Sequence, residues 1–303
     1  MKRSILILAV AALTGCALDR KADFDVSYPI EFQPAMYIHS APAEAGTYPE
    51  DQSFGVSAWT LPQECCWDDD RESAQQHMPL SEISLDAGGK WVPQTEVLWP
   101  TKDERVTFLA YSPYEEACGC SREEGVVWTG VDVLEDQTDL LYTEPQEDMN
   151  KLDCGGVVTL PFKHAMCLVD FRVKHRVQQG HKIIVNRIMI DSVHGKGTFR
   201  SLSDPAWELD KSIVSLPVFE GSHEAGKVPG TVGREWLLIP QELDTPVTVE
   251  YEYVHESGSH LIMNLKTARL KTKLESGMQY TITLSIGIDD VKFLTELIEH
   301  RMK

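Results

Sequence analysis

Positive charge is scarce in this chain: 28 Lys+Arg stand against 47 Asp+Glu in 303 residues, a net charge of −19 at pH 7. A surface of that sign repels phosphate backbones and excludes sequence-independent nucleic-acid binding. Long apolar runs are missing as well. No stretch approaches the roughly 18 residues that cross a bilayer as a helix, which argues against a polytopic helical membrane protein. Catalytic signatures are absent too, with no G-x-S-x-G elbow, no phosphate-cradling G-x-x-x-x-G-K-[ST], no G-x-G-x-x-G and no H-E-x-x-H. His255 and His260 stand five apart around Gly258, a turn and not a zinc-binding helix, and His164 reads as a structural histidine. Asp68-Asp69-Asp70 reads as a solvated acidic loop, and nothing singles out a carboxylate pair. Neither an enzyme nor a cofactor is expected.

What is present begins at the N-terminus. Met1-Lys2-Arg3 is basic, residues 4–13 are apolar apart from Ser4, and Leu13-Thr14-Gly15-Cys16 follows. That is a secretory signal over residues 1–15, and its end resembles the lipobox of bacterial lipoproteins. The resemblance implies cleavage before Cys16, acylation of its sulfur, and a lipidated linker over residues 16–24. More than one acyl chain suffices for stable anchoring, where a single chain is marginal.

Six further cysteines, Cys65, Cys66, Cys118, Cys120, Cys154 and Cys167, fit disulfides or free thiols in an exported chain. Their C-C and C-x-C spacings are not the C-x-x-C of a zinc site. Strand signals dominate the rest: 106–111, 157–162, 169–173, 183–190, 247–253 and 280–286 are short and rich in β-branched or aromatic residues. Several alternate with period two, Val169, Phe171 and Val173 facing one way and Asp170 and Arg172 the other. Clusters of Gly, Ser, Asp and Pro separate them, so the expected class is all-β, of sandwich type. The polar run 144–150 before Gly155-Gly156 places a boundary, giving domains over 25–152 and 153–288. The tail, 289–303, reads as an amphipathic helix capped by Asp289-Asp290, with Val291, Leu294, Leu297 and Ile298 on one face; the alternative is a strand. Seven tryptophans are read mainly as core, with stacking on sugars as the alternative role for any that is exposed.

Four motif blocks in series carry a family resemblance. Trp99-Pro100 with Val106 to Pro113 is the first, and Asp139-Leu140-Leu141-Tyr142 with Val157 to Val173 the second. Trp236 to Gln241 and Gly277 to Leu284 complete the set. In this order, behind a lipobox, they resemble the fimbrillin family of type V pili. The resemblance implies two β-sandwich domains of transthyretin-like topology and a lipidated precursor carried through Cys16 to the outer membrane and the cell surface. It also implies removal of a first strand by a trypsin-like protease and β-strand exchange with neighbouring fimbrial subunits. Host or bacterial surface ligands are further expected partners. The candidate cleavage residues are Arg20 and Arg71, and no basic residue lies between Lys21 and Arg71. That gap and the helical tail favour an anchor, tip or accessory subunit over a major shaft subunit. The alternative is a monomeric surface lipoprotein that binds glycans through exposed aromatic residues.

Overall fold

The structure, a computed structural model, describes residues 28–36, 46–255, 257, 261–294 and 298–302. The signal segment, Cys16 and Arg20 lie outside the described residues. The first sheet contains β1 (Glu31–Met36), β2 (Gly46–Thr47), β3 (Phe54–Pro62), β4 (Gln75–Leu85), β5 (Trp91–Pro93), β6 (Glu104–Ser112), β9 (Leu141–Tyr142), β10 (Gln146–Met149) and β11 (Val157–His164). Its order is β10-β6-β3-β4-β5-β1-β11-β9, and β9 pairs back onto β6 through Tyr111↔Tyr142 and Ser112↔Leu141. The sheet thereby closes on itself around a core that includes Phe32, Phe54, Phe108, Leu160 and Phe162. β3 is buried at every position except Pro62, because it runs through the middle of the sheet between β4 and β6.

The second half is a sandwich. One layer holds β12 (Cys167–His175), β17 (Gly230–Leu238), β20 (Met278–Ile286), β21 (Val291–Phe293) and β22 (Ile298–Arg301). The other holds β13 (Lys182–His194), β16 (Ile213–Glu224), β18 (Glu242–Val254) and β19 (Leu261–Lys273). β18 alternates buried and open residues along its whole length, so Val247, Val249 and Tyr251 face the core. Val169, Phe171 and Val173 point inward as their alternation requires, all fully buried. Asp170 faces the other way and is still covered, accepting a 2.7 Å hydrogen bond from Thr281 Oγ1.

A third group of strands joins the halves. β7 (Gly119–Ser121) and β8 (Gly125–Asp132) come from the first half, β14 (Lys196–Arg200) and β15 (Trp207–Leu209) from the second, in the order β15-β14-β8-β7. β11, which follows the polar run at 144–150, hydrogen-bonds to β1 and β9 of the first sheet.

The tail is a correction to the sequence reading. In place of a helix, Val291–Phe293 and Ile298–Arg301 both pair with β20, Ile286↔Val291 and Thr281↔Ile298 among the partners. β20 otherwise presents a row of unpaired backbone groups beyond β12, and a tail that satisfies them outweighs a weak local helix preference. Asp290 does not cap a helix; its carboxylate meets Arg176 Nη2 at 2.6 Å. Leu297 lies outside the described residues.

Gly55 on β3 illustrates how tightly the first sheet is packed. A Cβ there would fall 2.3 Å from Cε1 of the fully buried Tyr111 ring, whose hydroxyl donates to the Glu115 carbonyl at 2.7 Å. Gly55→Ala is expected to lower the unfolding free energy by about 1–3 kcal/mol through overpacking, seen as a lower urea midpoint. An unchanged midpoint would mean that the ring has room to move.

Candidate functional site

The strand β1 occupies a slot between β5 and β11. It runs parallel to β11 over six residue pairs, Glu31↔Val157 through Met36↔Phe162. On its other side it meets β5 in one pair, Phe32↔Trp91, and β2 in two. It is therefore held mainly by one ladder and by its side chains. Ile30, Phe32 and Met36 enter the core, Phe32 lying edge-on to Phe108 at 5.8 Å. Burying three such side chains is worth about 5–9 kcal/mol. The approach to the strand is stitched down as well: Ile30 N donates to Val97 O at 2.8 Å and Trp99 N to Tyr28 O at 2.9 Å. The Trp99 indole N–H reaches Gly156 O at 3.1 Å.

Sequence reasoning missed this strand. Glu31-Phe32-Gln33-Pro34-Ala35-Met36 has no β-branched residue and contains a proline, two signals that normally count against a strand. The usable signal was the alternation Ile30, Phe32, Met36. Pro34 is tolerated because β1 has little pairing on its second side.

Of the candidate cleavage residues, Arg71 is half-buried in a tight turn, Arg71–Ser73, whose first carbonyl accepts from Ala74 N at 3.2 Å. A cut after Arg71 would separate β1, β2 and the buried β3 from the rest. No Lys or Arg lies between Lys21 and Arg71, so no basic site separates β1 from β3.

The six described cysteines are free thiols. Cys65 and Cys120 lie against one small cluster, Trp59, Leu61, Trp67, Ala74 and Leu109. Cys66 Sγ contacts Asp69 Oδ2 at 3.4 Å, and Cys154 Sγ contacts Asn150 O at 3.4 Å. Cys118 and Cys167 are buried in the larger core. Burial pushes the Cys120 and Cys167 thiols up to about 12 and Cys118 further still. Partial burial and then the Asp70 carboxylate raise Cys65. Thiols held protonated in this way are poor nucleophiles and poor metal ligands.

His164 is a satisfied core histidine, its Nδ1 at 2.7 Å from Asp139 Oδ2. Asp70 accepts from Cys66 N at 3.1 Å and serves its own turn. Six of the seven tryptophans are buried; Trp91 alone is half-open. The described residues contain no group of three or more metal-ligating side chains. What this arrangement offers chemically is backbone complementation, the edge of β11 and an apolar slot matched to one extended strand, here β1.

Comparison with known proteins agrees with that architecture. A match to the family described as Fimbrillin-like spans residues 43–299. The fimbrium subunit Fim1C of Phocaeicola vulgatus is 19% identical over 237 residues, 69% of this chain and 62% of that relative's length. The crystal structure of a fimbrial protein from Bacteroides vulgatus superposes with a TM-score of 0.72 at 16% identity, covering 91% of this chain and 99% of the other. A candidate cell adhesion protein from Bacteroides uniformis gives a TM-score of 0.57 at 14% identity, covering 91% and 99%. These relatives are named as fimbrial or cell adhesion proteins, and with the family match extending over most of its length the chain belongs to the fimbrillin-like family.

Proposed function

We propose that the protein is a fimbrial subunit of the cell surface, anchored in the outer membrane through a lipid on Cys16, that keeps its own first strand. The observation that carries this reading is the closure of the first sheet by β1 together with the absence of any Lys or Arg between Lys21 and Arg71. A trypsin-like protease acting at Arg20 leaves β1 seated. Acting at Arg71 it removes the middle of the sheet. Neither cut opens the slot cleanly for a neighbour's strand, so the subunit occupies an anchor, tip or accessory position and not the repeating shaft. Its contact with other fimbrial subunits runs through donated strands, and β22, paired on one side only to β20, is the candidate donor. A head-to-tail contact of this kind propagates a filament when both ends are free and terminates it when one slot is already filled.

Brief trypsin treatment of the native protein is expected to cut after Arg20 or Lys21 and spare Arg71, as read by N-terminal sequencing of the surviving band. A fragment beginning at Glu72 that stays folded would overturn the retained-strand reading. Cys16→Ala is expected to move the chain from the membrane pellet to the soluble fraction. A variant that still sediments with membranes would argue against the lipid anchor.

A further inference from the structure

A cavity of about 370 Å³ opens beside β1, between β2 and the β4–β5 turn. It exists because β1 and β5 share a single pair, Phe32↔Trp91, so the two strands part on either side of it. The turn that forms one wall is fixed by Asp86, whose Oδ1 accepts from Gly88 N at 2.8 Å and Lys90 N at 2.9 Å. That turn delivers Lys90 and Trp91 to the opening.

The lining combines one aromatic wall with a polar rim. Trp91, the one tryptophan that is only partly buried, lines the cavity with Tyr48, and Gln33, Glu31, Glu50 and Lys90 stand around it. The indole is already held in place: its ring lies 5.5 Å from Tyr48, edge-on, and 5.3 Å from Phe54. A platform fixed before binding loses little entropy when a ligand stacks on it. Lys90 Nζ and Glu31 Oε1 are 2.5 Å apart and both partly open, a donor and an acceptor side by side. Gln33 and Glu50 are exposed and add an amide and a carboxylate.

An apolar ligand would desolvate the Lys90–Glu31 pair and strip water from the Gln33 amide and the Glu50 carboxylate with nothing in return, which is costly. A phosphate or other anion would meet two carboxylates against one ammonium, a net repulsion. A sugar ring satisfies both halves: its C–H face covers an aromatic surface, and its rim hydroxyls both donate and accept. The volume sits at the small end of ligand pockets, room for one or two rings. We infer that this cavity is a binding site for a neutral saccharide, with Trp91 as its aromatic wall and Gln33 and Glu50 as its hydroxyl-binding groups. The site depends on β1 staying in place, since Glu31 and Gln33 belong to that strand, and to that extent it rests on the retained-strand reading.

The test is titration calorimetry of the full chain with cellobiose, mannobiose, galactobiose and digalacturonic acid. At least one neutral disaccharide is expected to bind saturably, and digalacturonic acid on the order of tenfold more weakly than galactobiose. Trp91→Ala is expected to weaken the best neutral ligand by about tenfold, and Trp91→Phe to retain most of the affinity. Because Trp91 also packs on Phe54, the exposed substitutions Glu50→Gln and Gln33→Ala give an independent reading. Each is expected to cost about threefold with thermal stability unchanged. The assignment is overturned if no neutral disaccharide saturates, if digalacturonic acid binds as tightly as galactobiose, or if Trp91→Ala and Glu50→Gln both bind as the parent does.

Discussion

The parallel ladder between β1 and β11 closes the first sheet, and much of the rest of the molecule is arranged around it. β11 leads almost directly into β12, separated from it by Ala165 and Met166, so the strand that receives β1 is continuous with the first strand of the sandwich. Those two linking residues are buried and tied on both sides: Ala165 N donates to Leu140 O at 2.8 Å, and Met166 O accepts from Gly277 N at 2.8 Å. A loss of β1 would leave unpaired backbone groups and an open core beside this junction, a penalty paid in both hydrogen bonding and apolar burial.

Buried hydrogen-bonding side chains serve the same end. Gln241 donates to His194 O and Ile239 O, both at 3.0 Å, and accepts from His194 N at 2.8 Å. Gln137, from the first half, accepts from Leu237 N at 2.8 Å and donates to Leu237 O at 3.1 Å. The Trp207 indole donates to Ala165 O at 2.8 Å. These groups satisfy backbone that strand ends would otherwise leave bare in the interior. In the structure these side chains are joinery.

The strands that alternate cleanly, such as 169–173 and 247–253, were legible because one face of each is buried and period two follows from that. The all-β class was legible for the same reason. β1 was not, because Pro34 and the lack of branched residues hide a strand whose stability comes from a distant partner, β11. The tail was misread because Val291, Leu294 and Ile298 fit a helical face in isolation, and nothing local reveals that β20 has an edge to cover. Of the site, the missing basic residues between Lys21 and Arg71 could be seen in the letters alone. The pocket at Trp91 could not, since it arises from two strands diverging.

The strands that join the halves give them a shared sheet and a shared core. β8 pairs with β14 across the chain's midpoint, and the larger core draws Tyr111, Trp128 and Val133 together with Phe171, Phe199 and Ile282. Neither half can lose its packing without stripping the other of partners. A chimera exchanging one half alone would therefore inherit an interface with no complement.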